Sequence, residues 1–365
     1  MFKHDHPIIR EEKMKVLAFN SSARPVGQSK TLLVLSRLVK GMAEAGAEVE
    51  IVNLREKKIN DCIGCFTCWT KTPGACIHQD DMTRELFPKW MAADIVIYAS
   101  PLYHFTVNAA MKRFIERTLP VLKPYLIRKN IKEGTTHPLR GPHPAAVFVS
   151  VAGFPDESVF DALSYWARAL TSRGNNLVAE IYIPGAEAMV HHWRGEEILA
   201  AVEQAGREIV LQGSVSPGTM QQIKQPIDDP DLVAAISNSS WKAMIAQGLT
   251  PAEADRQGLN YRPDSLDSFM AMLSFGFNPA KAEGRKGVLQ FAFTDENPQE
   301  CYFVIDEKSC IPHAGRAEQA DCIVSGPFEV WADIIQGKAD GGQMFMEGKY
   351  TAEGNFPLMM VFGKN

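Results

Sequence analysis

The sequence predicts an α/β domain built on a doubly wound, parallel, five-stranded sheet, followed by a smaller α+β domain. Three observations carry this. Apolar runs at 16–19, 49–54, 93–99, 145–151 and 177–183 alternate with segments of helical period, which implies a parallel sheet. After about residue 265 the order changes to strands in succession and then helices. The chain has 365 residues, more than one ordinary core organises, and its pattern breaks around Gly213-Ser214-Val215-Ser216-Pro217-Gly218. The expected division is an arm over 1–13, a first domain over 14–212, a helical linker over 213–263 and a second domain over 264–365.

In chain order, residues 1–13 are polar and read as a loose arm, with Pro7-Ile8-Ile9 able to dock. Strand one ends at the polar loop Asn20-Ser21-Ser22-Ala23-Arg24-Pro25-Val26-Gly27-Gln28-Ser29. A helix follows from about 29 to 45, with Ser29 as N-cap and Leu32, Leu33, Leu35, Leu38, Val39 and Met42 on one face. A strand, a polar loop and a helix start present free N–H groups to an anion. Ser21, Ser22, Arg24 and Ser29 add side-chain donors, so the loop reads as a phosphate cradle. Asp81 is the expected N-cap of a short helix reaching Trp90, with Asp80 adding favourable charge.

Strand three runs into Ser100-Pro101-Leu102-Tyr103-His104-Phe105-Thr106, then a helix with Ala109, Met111, Phe114 and Ile115 inward. Residues 120–143, rich in proline and charge, form an excursion. After strand four, 159–173 is helical; after strand five, 195–211 is helical. Five such units suit the strand order 2-1-3-4-5, in which the loops after strands one and three face one crevice. The loop at Ala152-Gly153 opens beside it.

Four of the seven cysteines, Cys62, Cys65, Cys68 and Cys76, crowd into one short stretch. Such crowding suits a metal, a cluster or redox thiols in a reducing compartment better than a disulfide framework. The spacing fits four thiolates around one iron–sulfur cubane, with Pro73-Gly74 bending Cys76 back. Zinc on four thiolates, or free thiols, are the other readings. Cys301, Cys310 and Cys322 read as small core fillers. His191 and His192, being adjacent, point apart and read as surface residues.

Formal net charge is −5, which argues against a nucleic-acid footprint. No apolar run approaches the ~20 residues of a membrane span, and the start lacks the apolar stretch of a signal peptide. A cytoplasmic location is expected.

On these residues the region from 14 to about 210 resembles the NAD(P)H-dependent FMN reductases and iron–sulfur flavoproteins of flavodoxin-like fold. The matching pieces are Ser22-x-Arg24 with Gly27-Gln28-Ser29, the block Cys62-x2-Cys65-x2-Cys68, and Gly74-Ala75-Cys76 with Asp80-Asp81-Met82. Pro101-Leu102-Tyr103, ahead of Lys112-Arg113-Phe114, completes the set. The resemblance implies FMN, with its phosphate on Ser22, Arg24, Gln28 and Ser29. The isoalloxazine would lie against Pro101, Leu102, Tyr103, His104, Phe105, Ala152 and Gly153. Tyr103 and backbone groups are the expected ring contacts rather than an acid–base role for His104, because the flavin itself does the chemistry. NAD(P)H is the implied donor, a small molecule the acceptor, and a [4Fe-4S] cluster on the four cysteines would pass single electrons. A dimer or higher assembly follows by analogy.

In the linker, 231–247 reads as a helix with Leu232, Ile236, Trp241 and Met244 in phase, and Thr250-Pro251 starts another. Beyond it, Leu266, Phe269, Met270, Met272 and Leu273 mark a helix; 288–293, 302–306 and 321–325 read as strands; 328–336 is helical. Trp331-x4-Gln336-Gly337-Lys338, Phe345-Met346-x-Gly348-Lys349 and Gly354-Asn355-x2-Leu358 resemble a sterol-carrier-protein type domain. That implies an antiparallel sheet backed by helices around an apolar tunnel, with Met344, Met346, Met359 and Met360 as a plastic lining for an apolar or lipid ligand. The leading expectation is an FMN-dependent NAD(P)H oxidoreductase of flavin or quinone reductase type. The alternative is a lipid-binding or scaffolding protein whose first domain is catalytically silent.

Overall fold

A computed structural model describes residues 13–128, 134–171, 176–295 and 299–362. The expected arm therefore lies, except for Lys13, outside the described residues, as do Arg173 and the side chain of Met360. The chain divides into two compact units. The first runs to Val190 and resumes over Arg194–Gln225; the second takes His191–Trp193 and everything from Pro226. The segment read as a linker is thus shared out. The helix Pro217–Ile223 belongs to the first unit, where Ser216 and Thr219 bond the buried Glu208 carboxylate.

The first unit holds a parallel sheet of β1 (Lys15–Asn20), β2 (Glu48–Asn53), β3 (Ile95–Pro101), β4 (Ala145–Val151) and β5 (Leu177–Ile183). Their spatial order is β2-β1-β3-β4-β5, the expected 2-1-3-4-5. The three central strands are almost wholly buried, which is why they read as unbroken apolar runs. On one face Phe19, Tyr98 and Phe148 pack with Met111, Phe114 and Trp90. Helix α1 (Lys30–Glu44) packs against α5 (Arg194–Gln212). There a Cβ on Gly41 would lie 1.8 Å from the Glu203 carbonyl oxygen, and one on Gly206 would lie 2.1 Å from that of Leu38.

Ser29 caps α1 as expected, its Oγ accepting from the Leu32 N–H at 3.1 Å. Asp81 does not cap the next helix. Its carboxylate accepts from Lys58 N–H, while the buried Asp80 accepts from Thr83 N–H at 3.2 Å. The chain then makes a π turn (Met82–Leu86) before α2 (Phe87–Ala92). Helix α3 (Ala109–Glu116) buries Met111, Phe114 and Ile115, but Ala109 is exposed; its N-cap is Asn108. After β4 comes α4 (Asp161–Leu170).

The second unit has a sheet of β6 (Gly287–Phe293), β7 (Glu300–Asp306), β8 (Ser309–Ala314), β9 (Cys322–Gly326) and β10 (Thr351–Gly354), in the order β8-β7-β6-β9-β10. It is mixed rather than antiparallel: β9 lies parallel to β6, since the chain crosses back over the sheet to reach it. Cys301, Cys310 and Cys322 are buried core residues, and burial pushes the Cys301 thiol up to about 12. Phe269 packs at 5.1 Å from both Phe291 and Phe293, and Trp331 sits 4.9 Å from Phe291. Aromatic rings thus pack together on this face of the sheet. Met344 and Met359 are half-buried against that core, whereas Met346 is 83% exposed. In the helix Pro230–Gln247 the buried side is Val233, Ser239 and Met244, and Trp241 faces out. His192 is also not a surface residue: its imidazole is buried 4.8 Å from the Phe275 ring and 3.8 Å from Asp228. His191 is exposed.

Candidate functional site

The loops after β1 and β3 meet. Ser21 N–H donates to the Ala99 carbonyl at 2.9 Å and its hydroxyl donates to the same oxygen. Asn108 closes the junction from above: Nδ2 donates to the Ser21 carbonyl at 2.7 Å, and its N–H donates to Ser100 Oγ at 3.0 Å. One capping residue thus ties α3 to both loops. The Ser21 hydroxyl, expected in the cradle, is committed to the sheet instead.

Ser22 is buried, its N–H on Asn20 Oδ1 and its Oγ accepting from Arg24 N–H. Gln28 is half-buried and Ser29 buried. The N–H groups of Lys30 and Thr31, in the first turn of α1, have no intrahelical acceptor. Arg24 reaches away from Ser22 to Glu187, at 2.5 Å, and the Lys30 ammonium lies 3.7 Å from the other oxygen of that carboxylate. Glu187 escaped the sequence reading; it lies far along the chain in an ordinary helical segment. The cradle therefore offers two cations, buried hydroxyls and free amides, a donor set that fits a phosphate dianion.

Above the crevice, Tyr103 and Thr106 pair across a tight turn whose central residues, His104 and Phe105, both have positive φ, 49° and 63°. Such a turn ordinarily recruits glycine or asparagine, so the sequence gives no hint of it. Tyr103, Phe105 and Phe154 are exposed, and the Phe105 and Phe154 rings lie nearly parallel, 6.4 Å apart. His104 and Gly153 are exposed; Pro101 and Leu102 are half-buried and Ala152 buried. Leu102 N–H bonds the Val151 carbonyl, joining this loop to the end of β4.

The four clustered cysteines line one narrow pocket of about 20 Å³ with His78 and Arg117. Left-handed backbone at Gly64 and Phe66 turns the loop so that Cys62, Cys65 and Cys68 share a side, and Gly74, also left-handed, returns Cys76. Thr67 lowers the Cys65 thiol pKa by its hydroxyl and its N–H, while burial, then the neighbouring Cys76, raises that of Cys68. Among the described residues, no group of three or more His, Cys, Asp or Glu is gathered closely enough for a single metal ion.

Arg117 is 2% exposed. Its Nη1 donates to Asp80 Oδ2 and Asn60 O, both at 2.7 Å, and its Nη2 to Asp80 Oδ1 and Thr83 Oγ1, both at 3.0 Å. Burial alone would raise the Asp80 pKa, but Arg117 and the N–H groups of Asn60 and Thr83 hold it far below the usual carboxylate range. Arg117 Nε and His78 Nε2 are buried without hydrogen-bond partners. Four thiols with two unpartnered nitrogens beside them are a donor set that fits a sulfur-rich group. The space must open for a four-iron cluster, since it now admits about one water-sized sphere.

An iron–sulfur flavoprotein of Archaeoglobus fulgidus is 42% identical over 107 residues, 29% of this chain and 46% of its own. One of Methanocaldococcus jannaschii is 35% identical over 118 residues, 32% and 58% of the two chains. The chain thus spans about half the length of these relatives. An NAD(P)H:quinone oxidoreductase from Methanothermobacter marburgensis superposes with a TM-score of 0.41 at 16% identity, over 54% of this chain and 98% of that one. Residues 14–153 match the family model of NADPH-dependent FMN reductase and residues 277–364 that of the SCP-2 sterol transfer family, and the chain joins these two family segments in one polypeptide.

Proposed function

We propose that the first unit is an FMN-dependent oxidoreductase that draws electrons from NAD(P)H and passes them to a small-molecule acceptor. The observation that carries the reading is the double tie made by Asn108, which holds the loops after β1 and β3 on one crevice at the point where the winding reverses. Ser22, Ser29, Arg24 and the first-turn amides of α1 would hold the phosphate. Tyr103, Phe105 and the backbone of 101–106 and 152–154 would receive the ring. Bound FMN would supply two-electron acceptance and one-electron release; the chain binds, orients and excludes water.

Cys62, Cys65, Cys68 and Cys76 hold a [4Fe-4S] cluster in this reading, which would supply a one-electron relay. Two facts support a cluster: the four thiols line one pocket, and relatives of 42% and 35% identity are named iron–sulfur flavoproteins. Helix α3 runs from the crevice, where Asn108 caps it, to the pocket, where Arg117 follows it. Its eight residues span ~12 Å at 1.5 Å each. The second unit would bind an apolar ligand, as its family match suggests. The protein works in the cytoplasm as a dimer or larger assembly in this reading.

Anaerobic purification tests it. Flavin absorption, a broad brown shoulder, about four irons per chain and oxidation of NADH or NADPH are expected. A colourless protein that takes up a fatty acyl probe and oxidises neither nicotinamide would leave a lipid-binding or scaffolding role for the chain.

A further inference from the structure

A guanidinium carries five N–H donors. In Arg117 four bonds from the two terminal nitrogens go to Asp80, Asn60 and Thr83. These hold the plane of the group in place, and Arg117 lines the pocket that the four cysteines line. The remaining donor, Nε–H, has no acceptor. Leaving such a donor dry is costly, and native proteins rarely do so without a reason. His78, two residues beyond Cys76, repeats the pattern: its Nε2 is buried and unpartnered, and the residue lines the same pocket. Both residues thus share the pocket with the four cysteines.

We propose that Arg117 Nε–H and His78 Nε2–H donate hydrogen bonds to the sulfur atoms of the group held by Cys62, Cys65, Cys68 and Cys76, and that these two residues set its reduction potential. The inference rests on the cluster reading above. Reduction adds negative charge to the sulfurs, and a donor aimed at them stabilises the reduced form more than the oxidised one. Asp80 is the positioning residue: it fixes the guanidinium while its own charge is balanced by the two prongs it receives.

The test uses the full chain, purified anaerobically and reconstituted with iron and sulfide. EPR-monitored redox titration of His78→Phe should show the cluster potential shifted negative by a factor of about ten in the reduction equilibrium, ~59 mV for one electron. Exchangeable-proton couplings in the ENDOR spectrum of the reduced protein should lose one member. Arg117→Lys should lose a second. Should Arg117→Lys fail to fold, His78→Phe, at a half-buried site outside the Asp80 network, still decides the matter. Unchanged potential and unchanged proton couplings in an iron-loaded His78→Phe protein overturn the proposal and leave the cluster reading standing. A wild-type chain that retains no iron after reconstitution overturns the cluster reading itself, and this proposal with it.

Discussion

Asp80 and Arg117 meet in a two-pronged ion pair, at 2.7 and 3.0 Å, with both side chains 1% exposed. Removing one partner strands a buried charge, which costs about 3–5 kcal/mol. Asp80→Ala is therefore expected to lower unfolding free energy by that amount in urea titrations of the protein without metal. A loss under 1 kcal/mol would contradict the burial described.

The same pair sets a pH dependence. The folded pKa of Asp80 is depressed below its unfolded value of about 3.9. Its stabilisation is therefore complete above pH ~4 and is lost as pH falls through the folded value. Wild type should lose more stability than Asp80→Asn on acidification below pH ~4. Parallel pH–stability curves for the two would count against the pairing.

Arg24 is held by Glu187, a carboxylate that any bound phosphate must displace or tolerate. Glu187→Gln should tighten FMN several-fold in a fluorescence titration. Ser22→Ala with Arg24→Ala should weaken it by roughly 2–4 kcal/mol, since hydrogen bonds to charged groups contribute about 1.5–3 each. Equal affinity in all three proteins would place the phosphate elsewhere.

His104 sits at φ 49° in the turn above the crevice. His104→Gly relieves a left-handed strain of roughly 1 kcal/mol and should raise the midpoint of denaturation. If Tyr103 and backbone groups receive the ring, NADH oxidation should survive the change; a large loss of turnover would give the imidazole a direct role.

Gly206→Ala forces a methyl group into the Leu38 carbonyl at the α1–α5 crossing. Overpacking of this kind costs about 1–3 kcal/mol. A fall in FMN affinity should accompany the fall in stability, because α1 begins at the cradle. Calorimetry and flavin titration on one preparation read both.

The first sheet was legible because each strand is short, apolar and bounded by polar loops, and because Ser29 caps a helix whose period is plain. What escaped depends on distant partners. Asp80 rather than Asp81 caps its turn because Arg117, 37 residues on, holds it there. Glu187 reaches Arg24 across 163 residues. Nothing in Tyr103-His104-Phe105-Thr106 announces two left-handed residues, since the turn has no glycine. His192 looked like surface beside His191, yet Phe275 covers it. In the second unit the strands were visible, but the parallel pairing of β6 with β9 depends on how the chain crosses over the sheet. A helical period likewise does not say that Trp241 will face out.

Asn108 pins the front of α3 while Arg117 moors its back, so the helix behaves as a stiff beam with a fastening at each end. The crevice loops and the sulfur-lined cleft are therefore joined by one short helix with no loop between its two fastenings.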